Sequence, residues 1–508
     1  MLLMYCHAKL KNISQHTVIS AHLFLPDYSP MNRDSFYPAI ACFPLLLMLA
    51  GCAPMHETRQ ALSQQTPAAQ VDTALPTALK NGWPDSQWWL EYHDNQLTSL
   101  INNALQNAPD MQVAEQRIQL AEAQAKAIAT QDGQQIDFSA DMERQKMSAE
   151  GLMGPFALND PAAGTTGPWY TNGTFGLTAG WHLDIWGKNR AEVTARLGTV
   201  KARAAEREQT RQLLAGSVAR LYWEWQTQAA LNTVLQQIEK EQNTIIATDR
   251  QLYQNGITSS VEGVETDINA SKTRQQLNDV AGKMKIIEAR LSALTNNQTK
   301  SLKLKPVALP KVASQLPDEL GYSLLARRAD LQAAHWYVES SLSTIDAAKA
   351  AFYPDINLMA FLQQDALHLS DLFRHSAQQM GVTAGLTLPI FDSGRLNANL
   401  DIAKAESNLS IASYNKAVVE AVNDVARAAS QVQTLAEKNQ HQAQIERDAL
   451  RVVGLAQARF NAGIIAGSRV SEARIPALRE RANGLLLQGQ WLDASIQLTG
   501  ALGGGYKR

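Results

Sequence analysis

The sequence predicts a mainly α protein with a membrane β component, arranged as two tandem repeats that each hold a strand hairpin and long coiled-coil helices. Three observations predict it. The same order of motifs occurs twice at an offset of about 205 residues. Each half carries stretches in which apolar and polar residues alternate strictly. Each half also carries long runs free of proline whose apolar residues recur every three, four or seven positions.

The duplication is legible residue by residue. Gly176-Leu177-Thr178-Ala179-Gly180 and Gly381-Val382-Thr383-Ala384-Gly385 match in register. So do Tyr253-Gln254-Asn255-Gly256-Ile257 and Phe460-Asn461-Ala462-Gly463-Ile464, followed by Glu265 with Glu472, Ile268 with Ile475 and Ala270 with Ala477. Upstream, Pro109-Asp110-Met111-Gln112-Val113-Ala114 pairs with Ala329-Asp330-Leu331-Gln332-Ala333-Ala334. Elements kept in the same order in both halves point to a repeat rather than coincidence.

Within the first half, Phe175, Leu177, Ala179, Trp181, Leu183 and Ile185 alternate with Gly176, Thr178, Gly180, His182 and Asp184. A period of two puts these sets on opposite faces of a strand. Met380, Val382, Ala384, Leu386, Leu388 and Ile390 repeat the pattern in the second half. Partner strands are expected at Ile136–Glu143 and, less regularly, at Asp355–Gln364, with Gly151–Gly167 the clearest loop. Each half thus holds one hairpin with strands of about ten residues.

Helices surround the hairpins. No proline lies between Gly187 and Pro306, and Leu214, Val218, Leu221, Trp225, Leu231, Leu235, Ile238, Ile245 and Leu252 mark a coiled-coil seam. A helix from Lys188 to Tyr253 would be about 100 Å long at ~1.5 Å per residue. The second copy offers Arg395–Phe460 and Ser468–Leu498, with a kink expected at Pro476. Pro306, Pro310 and Pro317 mark the joint between halves.

The N-terminus reads as an export signal. Met31-Asn32-Arg33 supplies a start and a positive charge, and Ala39–Met48 is an apolar core, shorter than the ~20 residues a spanning helix needs. Leu49-Ala50-Gly51-Cys52 follows and resembles a bacterial lipobox. That resemblance implies cleavage between Gly51 and Cys52, with a diacylglycerol thioether and an N-palmitoyl chain on Cys52. The other reading is a buried cysteine after an uncleaved apolar segment. The remaining cysteines, Cys6 and Cys42, precede the cut, so the mature chain of about 457 residues keeps one thiol. Residues 1–30 lack export character, so translation is expected to start at Met31. The expected division is an upstream extension at 1–30, a lipoprotein signal at 31–51, an anchor and linker at 52–88, a first repeat at 89–299, a Pro-rich joint at 300–318 and a second repeat at 319–508.

Composition narrows the function. A 508-residue chain that is 45% apolar and carries a net charge of −2 is an ordinary folded protein, with no basic excess for nucleic acid. Strands of this length with one apolar and one polar face suit an outer-membrane barrel, although a single such strand also suits a soluble sandwich. Four strands cannot close a barrel in lipid without leaving open edges, so barrel strands have to be pooled between subunits.

These features together, with the terminal Leu502-Gly503-Gly504-Gly505-Tyr506, resemble the TolC-type outer-membrane factors in their NodT lipoprotein branch, over nearly all of Cys52–Arg508. The resemblance implies a homotrimer with a 12-stranded barrel in the outer membrane and a helical periplasmic tunnel. It implies docking onto a periplasmic membrane fusion adaptor bound to an inner-membrane efflux pump, with drugs and other small toxic compounds as cargo. Residue by residue, the family's adaptor-contact tips fall on Gly256, Ile257 and Thr258, and on Gly463, Ile464 and Ile465. Glycine at these points equally suits a plain helix cap. Glu262, Glu265 and Glu472 could narrow a cation-selective entrance or simply line a solvated helix face.

Three other functions stay in view. A cell-envelope hydrolase would need a catalytic motif, and no His-Glu-x-x-His, Cys-x-x-Cys, Gly-x-Ser-x-Gly or Walker lysine occurs, so neither enzyme activity nor a metal is expected. His182 lies on the polar face of a predicted strand. An adaptor would carry one helical hairpin rather than tandem strand hairpins. A duct for secreted proteins would share the fold.

Overall fold

A computed structural model of the chain describes residues 83–146, 169–257, 260–297, 302–311 and 326–506, with short pieces at 55, 61–65, 148, 159–160, 165–166 and 324. The export segment, Gly51, Cys52 and Thr258 lie outside the described residues, as do most of 151–167 and, in the joint, 300–301 and 312–318.

The first repeat runs α1 (Asn95–Asn107), α2 (Pro109–Ala129), β1 (Gln135–Lys146), a two-residue ladder of β2 (Asn159–Asp160) with β3 (Thr165–Thr166), β4 (Trp169–Leu183), α3 (Lys188–Gln254) and α4 (Ser260–Leu294). The second runs α5 (Ala329–Ala350), β5 (Asp355–Ala366), β6 (Gln378–Thr387), α6 (Arg395–Asn461) and α7 (Gly467–Ala501). Helices α3 and α6 start at the expected residues and stop one residue past the expected ends, at Gln254 and Asn461. Helix α7 stays continuous through Pro476, whose flanking Ile475 and Leu478 pack on Leu235 and Ile238. Helices α2 and α5 occupy the upstream segments that the sequence matches between halves without assigning them a conformation.

Both strand-to-helix corners use an aspartate. The Asp184 carboxylate accepts the N–H of Asn189 (3.3 Å) and Arg190 (2.9 Å), and that of Asp392 accepts the N–H of Gly394 (3.0 Å) and Leu396 (2.8 Å). A carboxylate at a helix start satisfies free amides and opposes the positive end of the macrodipole. Strand β4 consequently ends at Leu183, two residues short of the expected Ile185, because Asp184 turns to cap α3. Strand β6 ends at Thr387, two residues before Pro389, which has no N–H for a ladder.

Helix α3 packs against α2 and α5 beside the sheet, and against α4 and α7 farther along; α6 packs first on α5 and then on α7. The predicted seam is the packed face: Leu214, Val218, Trp225, Leu235, Ile238 and Ile245 are all buried. Midway along, α1 and the turn at Trp88–Tyr92 close a core of Trp88, Trp89, Leu97, Ile101, Tyr222 and Trp223. Tyr222 donates to Asp94 (2.7 Å), and burial followed by that bond pushes its phenol well above the usual range. Glycines 503, 504 and 505 all adopt positive φ and thread the C-terminus between Arg327 and Asp85, where a Cβ on Gly503 or Gly505 would strike backbone oxygen.

The described part of the joint, 302–311, crosses the helices as an extended strip held by side-chain amides. Gln96 pairs with both the N–H and C=O of Lys305 (2.9 and 3.2 Å). Gln226 donates to Lys305 O (2.9 Å) and accepts from Val307 N–H (2.8 Å), and Gln488 donates to Leu309 O and Pro310 O. Gln226 is fully buried, so this pairing answers the cost of desolvating its amide.

Candidate functional site

Two places combine position and chemistry that a duct would use: the sheet and the helical tips. No described helix is long and apolar enough to cross a membrane.

The four long strands form one antiparallel sheet in the order β1-β4-β5-β6. The register sets Phe138 beside Leu177, Leu177 beside Leu362 and Leu362 beside Met380. One step along, Ala179 faces Ala360 and Ala360 faces Val382. The apolar residues of every strand therefore merge into one band across the sheet. Phe138, Met380 and Val382 are each more than 60% exposed in the single chain, a state that water penalises and lipid does not. Aromatic residues border the band. Trp186 stacks on Tyr353 at the helix end (5.1 Å between centroids) and donates to Pro354 O (2.7 Å), while Trp169 lies at the loop end. Such girdles mark bilayer interfaces.

The opposite face is polar and acidic. Asp137, Asp141, Glu143, Asp355 and Asp365 point to it, with Asp184 just past β4, and no lysine or arginine of the four strands does. Thr174 stands between Asp141 and Asp365 and donates to Asp365 (3.4 Å). His182 lies 3.4 Å from Asp355 on the same face, both well exposed, as its strand position predicts. At the corner below, partial burial and the nearby Asp184 carboxylate push the Asp132 carboxyl up. Strand β5 reads irregularly because Met359 and Phe361 sit on this face. The Phe361 ring fills the space over Gly381, where a Cβ would come within 2.8 Å of it.

Among the described residues, the outer strands of the sheet, β1 and β6, each leave one edge without a partner strand. The helical layer is open in the same way, with α2 and α4 along one margin and α6 along the other. Both margins expose apolar side chains, Val113, Leu120, Val264 and Ile268 on one and Ile402, Leu409 and Val419 on the other.

At the far end, α3 and α6 stop in the same way. Gly256 and Gly463 both have φ of 71°. Gly256 N–H donates to Tyr253 O (2.9 Å) and Ile257 N–H to Leu252 O (2.9 Å); Gly463 N–H donates to Phe460 O (2.8 Å) and Ile464 N–H to Arg459 O (3.0 Å). These are Schellman caps, in which a left-handed residue satisfies the last carbonyls. The cap uses the glycine and main chain alone. Ile257 and Ile464 are left 67% and 71% exposed, and Ile465 is half-buried. Of the acidic residues near the tips, Glu472 is held by Arg469 at 2.7 Å, the arrangement of a solvated helix face.

The chain matches the family described as outer membrane efflux protein over residues 100–297 and 320–504. It is 99% identical over 478 residues to the putative multidrug resistance outer membrane protein MdtQ of Shigella flexneri, across 94% of this chain and all of that one. It is 36% identical over 464 residues to the multidrug resistance outer membrane protein MdtP of Shigella flexneri, across 91% of this chain and 94% of the relative. Among solved structures, the outer membrane protein VceC of Vibrio cholerae superposes with a TM-score of 0.73 at 25% identity, covering 84% of this chain and 100% of that one. The CmeC outer membrane channel of Campylobacter jejuni superposes with a TM-score of 0.77 at 18% identity, over 90% and 96%.

Proposed function

The chain belongs to the outer membrane efflux protein family, and from that premise we propose that three copies of it form the passive outer-membrane outlet of a tripartite multidrug efflux assembly. The observation that carries this reading is the sheet with one continuous apolar band and two unpaired edges. Unpaired backbone in hydrocarbon costs several kcal/mol per group, so β6 of one copy must pair with β1 of the next. A head-to-tail contact repeated by rotation closes a ring, and three copies give twelve strands above a ring of paired long helices. The apolar margins of the helical layer are buried by the same contact.

The carboxylates of the polar face then line the lumen, where they favour cations and repel anions in the narrow aqueous path. The duct performs no chemistry: a periplasmic adaptor at the tips links it to an inner-membrane pump that supplies the energy. In this reading Cys52 carries the lipid that anchors each copy.

Planar-bilayer recording tests the duct. The purified protein should conduct without nucleotide or proton gradient and prefer K⁺ to Cl⁻. Asp141→Asn with Glu143→Gln and Asp365→Asn should move the reversal potential in a KCl gradient toward zero while leaving a pore open. A protein that inserts but never conducts contradicts the reading.

A further inference from the structure

The four long strands carry one arginine and one lysine, and both stand on the apolar face at the loop end of β1. Arg144 is one outward step past Met142 and Lys146 is two, level with Thr171 and Trp169 of β4, and both are exposed. The carboxylates of these strands are all on the other face. A cation facing lipid costs about 2–4 kcal/mol at mid-bilayer and ~0–1 kcal/mol near the interface, so its height decides its role. From Leu183 to Gly173 the band follows ten residues of β4. At ~3.3 Å each and a strand tilt of roughly 40°, they rise about 25 Å, the height of a barrel's apolar band. Arg144 and Lys146 therefore fall just beyond the hydrocarbon, at headgroup depth.

The connection from β5 to β6 folds back onto the same face. Leu372 is buried over Gly173, with its Cδ2 3.5 Å from where a Cβ would stand. The Phe373 ring lies 5.6 Å from that of Phe175, which meets Phe138 at 6.5 Å. Phe373 is nonetheless 81% exposed and Leu369 57%. Water opposes spreading such side chains over the outside of a sheet, whereas acyl chains receive them. Arg374 follows directly and holds Asp371 at 3.0 Å while its side chain stays 68% exposed. A guanidinium has five N–H donors, so this ion pair leaves donors for a second anion. Gly173 pairs with Met142, which sets the loop over the strand next to β1 and its two cations.

The loop end points away from the helices, toward the outer leaflet. We propose that Arg144, Lys146 and Arg374, above the apolar plate of Leu369, Leu372 and Phe373, bind the acylated, bis-phosphorylated glycolipid of that leaflet. The cations take its phosphates through charge-assisted hydrogen bonds and the plate lies along its acyl chains. More than one cation at headgroup depth suits a headgroup with more than one phosphate. The assignment rests on the reading above for which face of the sheet meets lipid.

Binding of a fluorescent bis-phosphorylated lipid A to the detergent-purified protein tests it, with the heat-resistant oligomer and bilayer conductance measured on the same preparation. The parent should bind saturably, and unlabelled lipid A should displace the probe. Dephosphorylated lipid A, phosphatidylglycerol vesicles and inorganic phosphate should not. Arg144→Ser with Lys146→Ser and Arg374→Ser should weaken binding about tenfold or more, as the loss of several charge-assisted hydrogen bonds requires, while oligomer and conductance are unchanged. Arg144→Lys with Arg374→Lys should keep most of the affinity. Leu369→Ser with Phe373→Ser should weaken binding of the acylated probe without making inorganic phosphate a competitor. A parent that assembles and conducts but does not bind the probe, or a triple serine variant that binds as the parent does, overturns the site and leaves the duct standing. Equal displacement by phosphatidylglycerol overturns the assignment to the glycolipid. A protein that binds the probe as a monomer without conducting retains the site and contradicts the duct.

Discussion

Replacing Ile257 and Ile464 together by aspartate is expected to reduce drug tolerance to that of cells lacking the protein, and to abolish crosslinking to the periplasmic adaptor. Folding should survive, because the two isoleucines are largely exposed and the caps they follow are made by Gly256, Gly463 and main-chain bonds. An apolar residue held in water at the end of a 67-residue helix contributes nothing to that helix, and its burial in a partner is favourable by ~1.5–3 kcal/mol. Two aspartates on each of three protomers would place six charges where the adaptor has to exclude water. Gly256→Ala with Gly463→Ala is the contrasting variant: it strains the left-handed turn by roughly 1–2 kcal/mol at each site and should loosen the tips while keeping some docking. A double aspartate variant that crosslinks and supports tolerance as the parent does would reduce the tips to caps.

Leu177→Asp is expected to prevent stable insertion in the outer membrane. Leu177 sits mid-strand between Phe138 and Leu362, at the centre of the apolar band. A charge on the lipid face at mid-bilayer costs about 2–4 kcal/mol for lysine or arginine and somewhat less for aspartate, and the ring would bear that cost three times. Thr383→Asp provides the control. It lies on the polar face beside Met359, with water in front of it, and should insert normally. Membrane fractionation and heat-resistance of the assembled oligomer distinguish the two, and equal insertion of both variants contradicts the assignment of faces.

The sequence makes the regular parts of this fold visible because each has a period. Alternation over Phe175–Leu183 marks β4 since one whole face of it is apolar. The seam from Leu214 to Ile245 marks α3 since no proline interrupts it and each seam residue packs inward. Strand β5 is less regular for a local reason: Phe361 occupies room that Gly381, on another strand, leaves open. Neither residue announces that pairing alone. The amide clamps were not legible at all. Gln96, Gln226 and Gln488 sit singly on helices, and their meaning depends on one extended segment that lies 79 to 209 residues away in sequence. At the candidate site, the doubled Gly-Ile predicted both a cap and an exposed apolar residue, and the geometry holds both. The acidic lumen face was half legible. Its carboxylates alternate with the apolar residues of their strands, but the row formed by Asp141, Thr174 and Asp365 needs the inter-strand register. Helices α2 and α5 have short seams dominated by alanine, as at Ala114, Ala121 and Ala125, which give a weak periodic signal.

The central claim is that this chain completes its sheet only with copies of itself. Light scattering of the purified protein in mild detergent, corrected for bound detergent, measures that directly. The expected result is one species with three times the protein mass of the mature chain, and with the strand signal of a closed barrel. A stable, folded monomer that keeps the same strand content would contradict it, because β1 and β6 would then persist in an apolar medium with their edges unpaired.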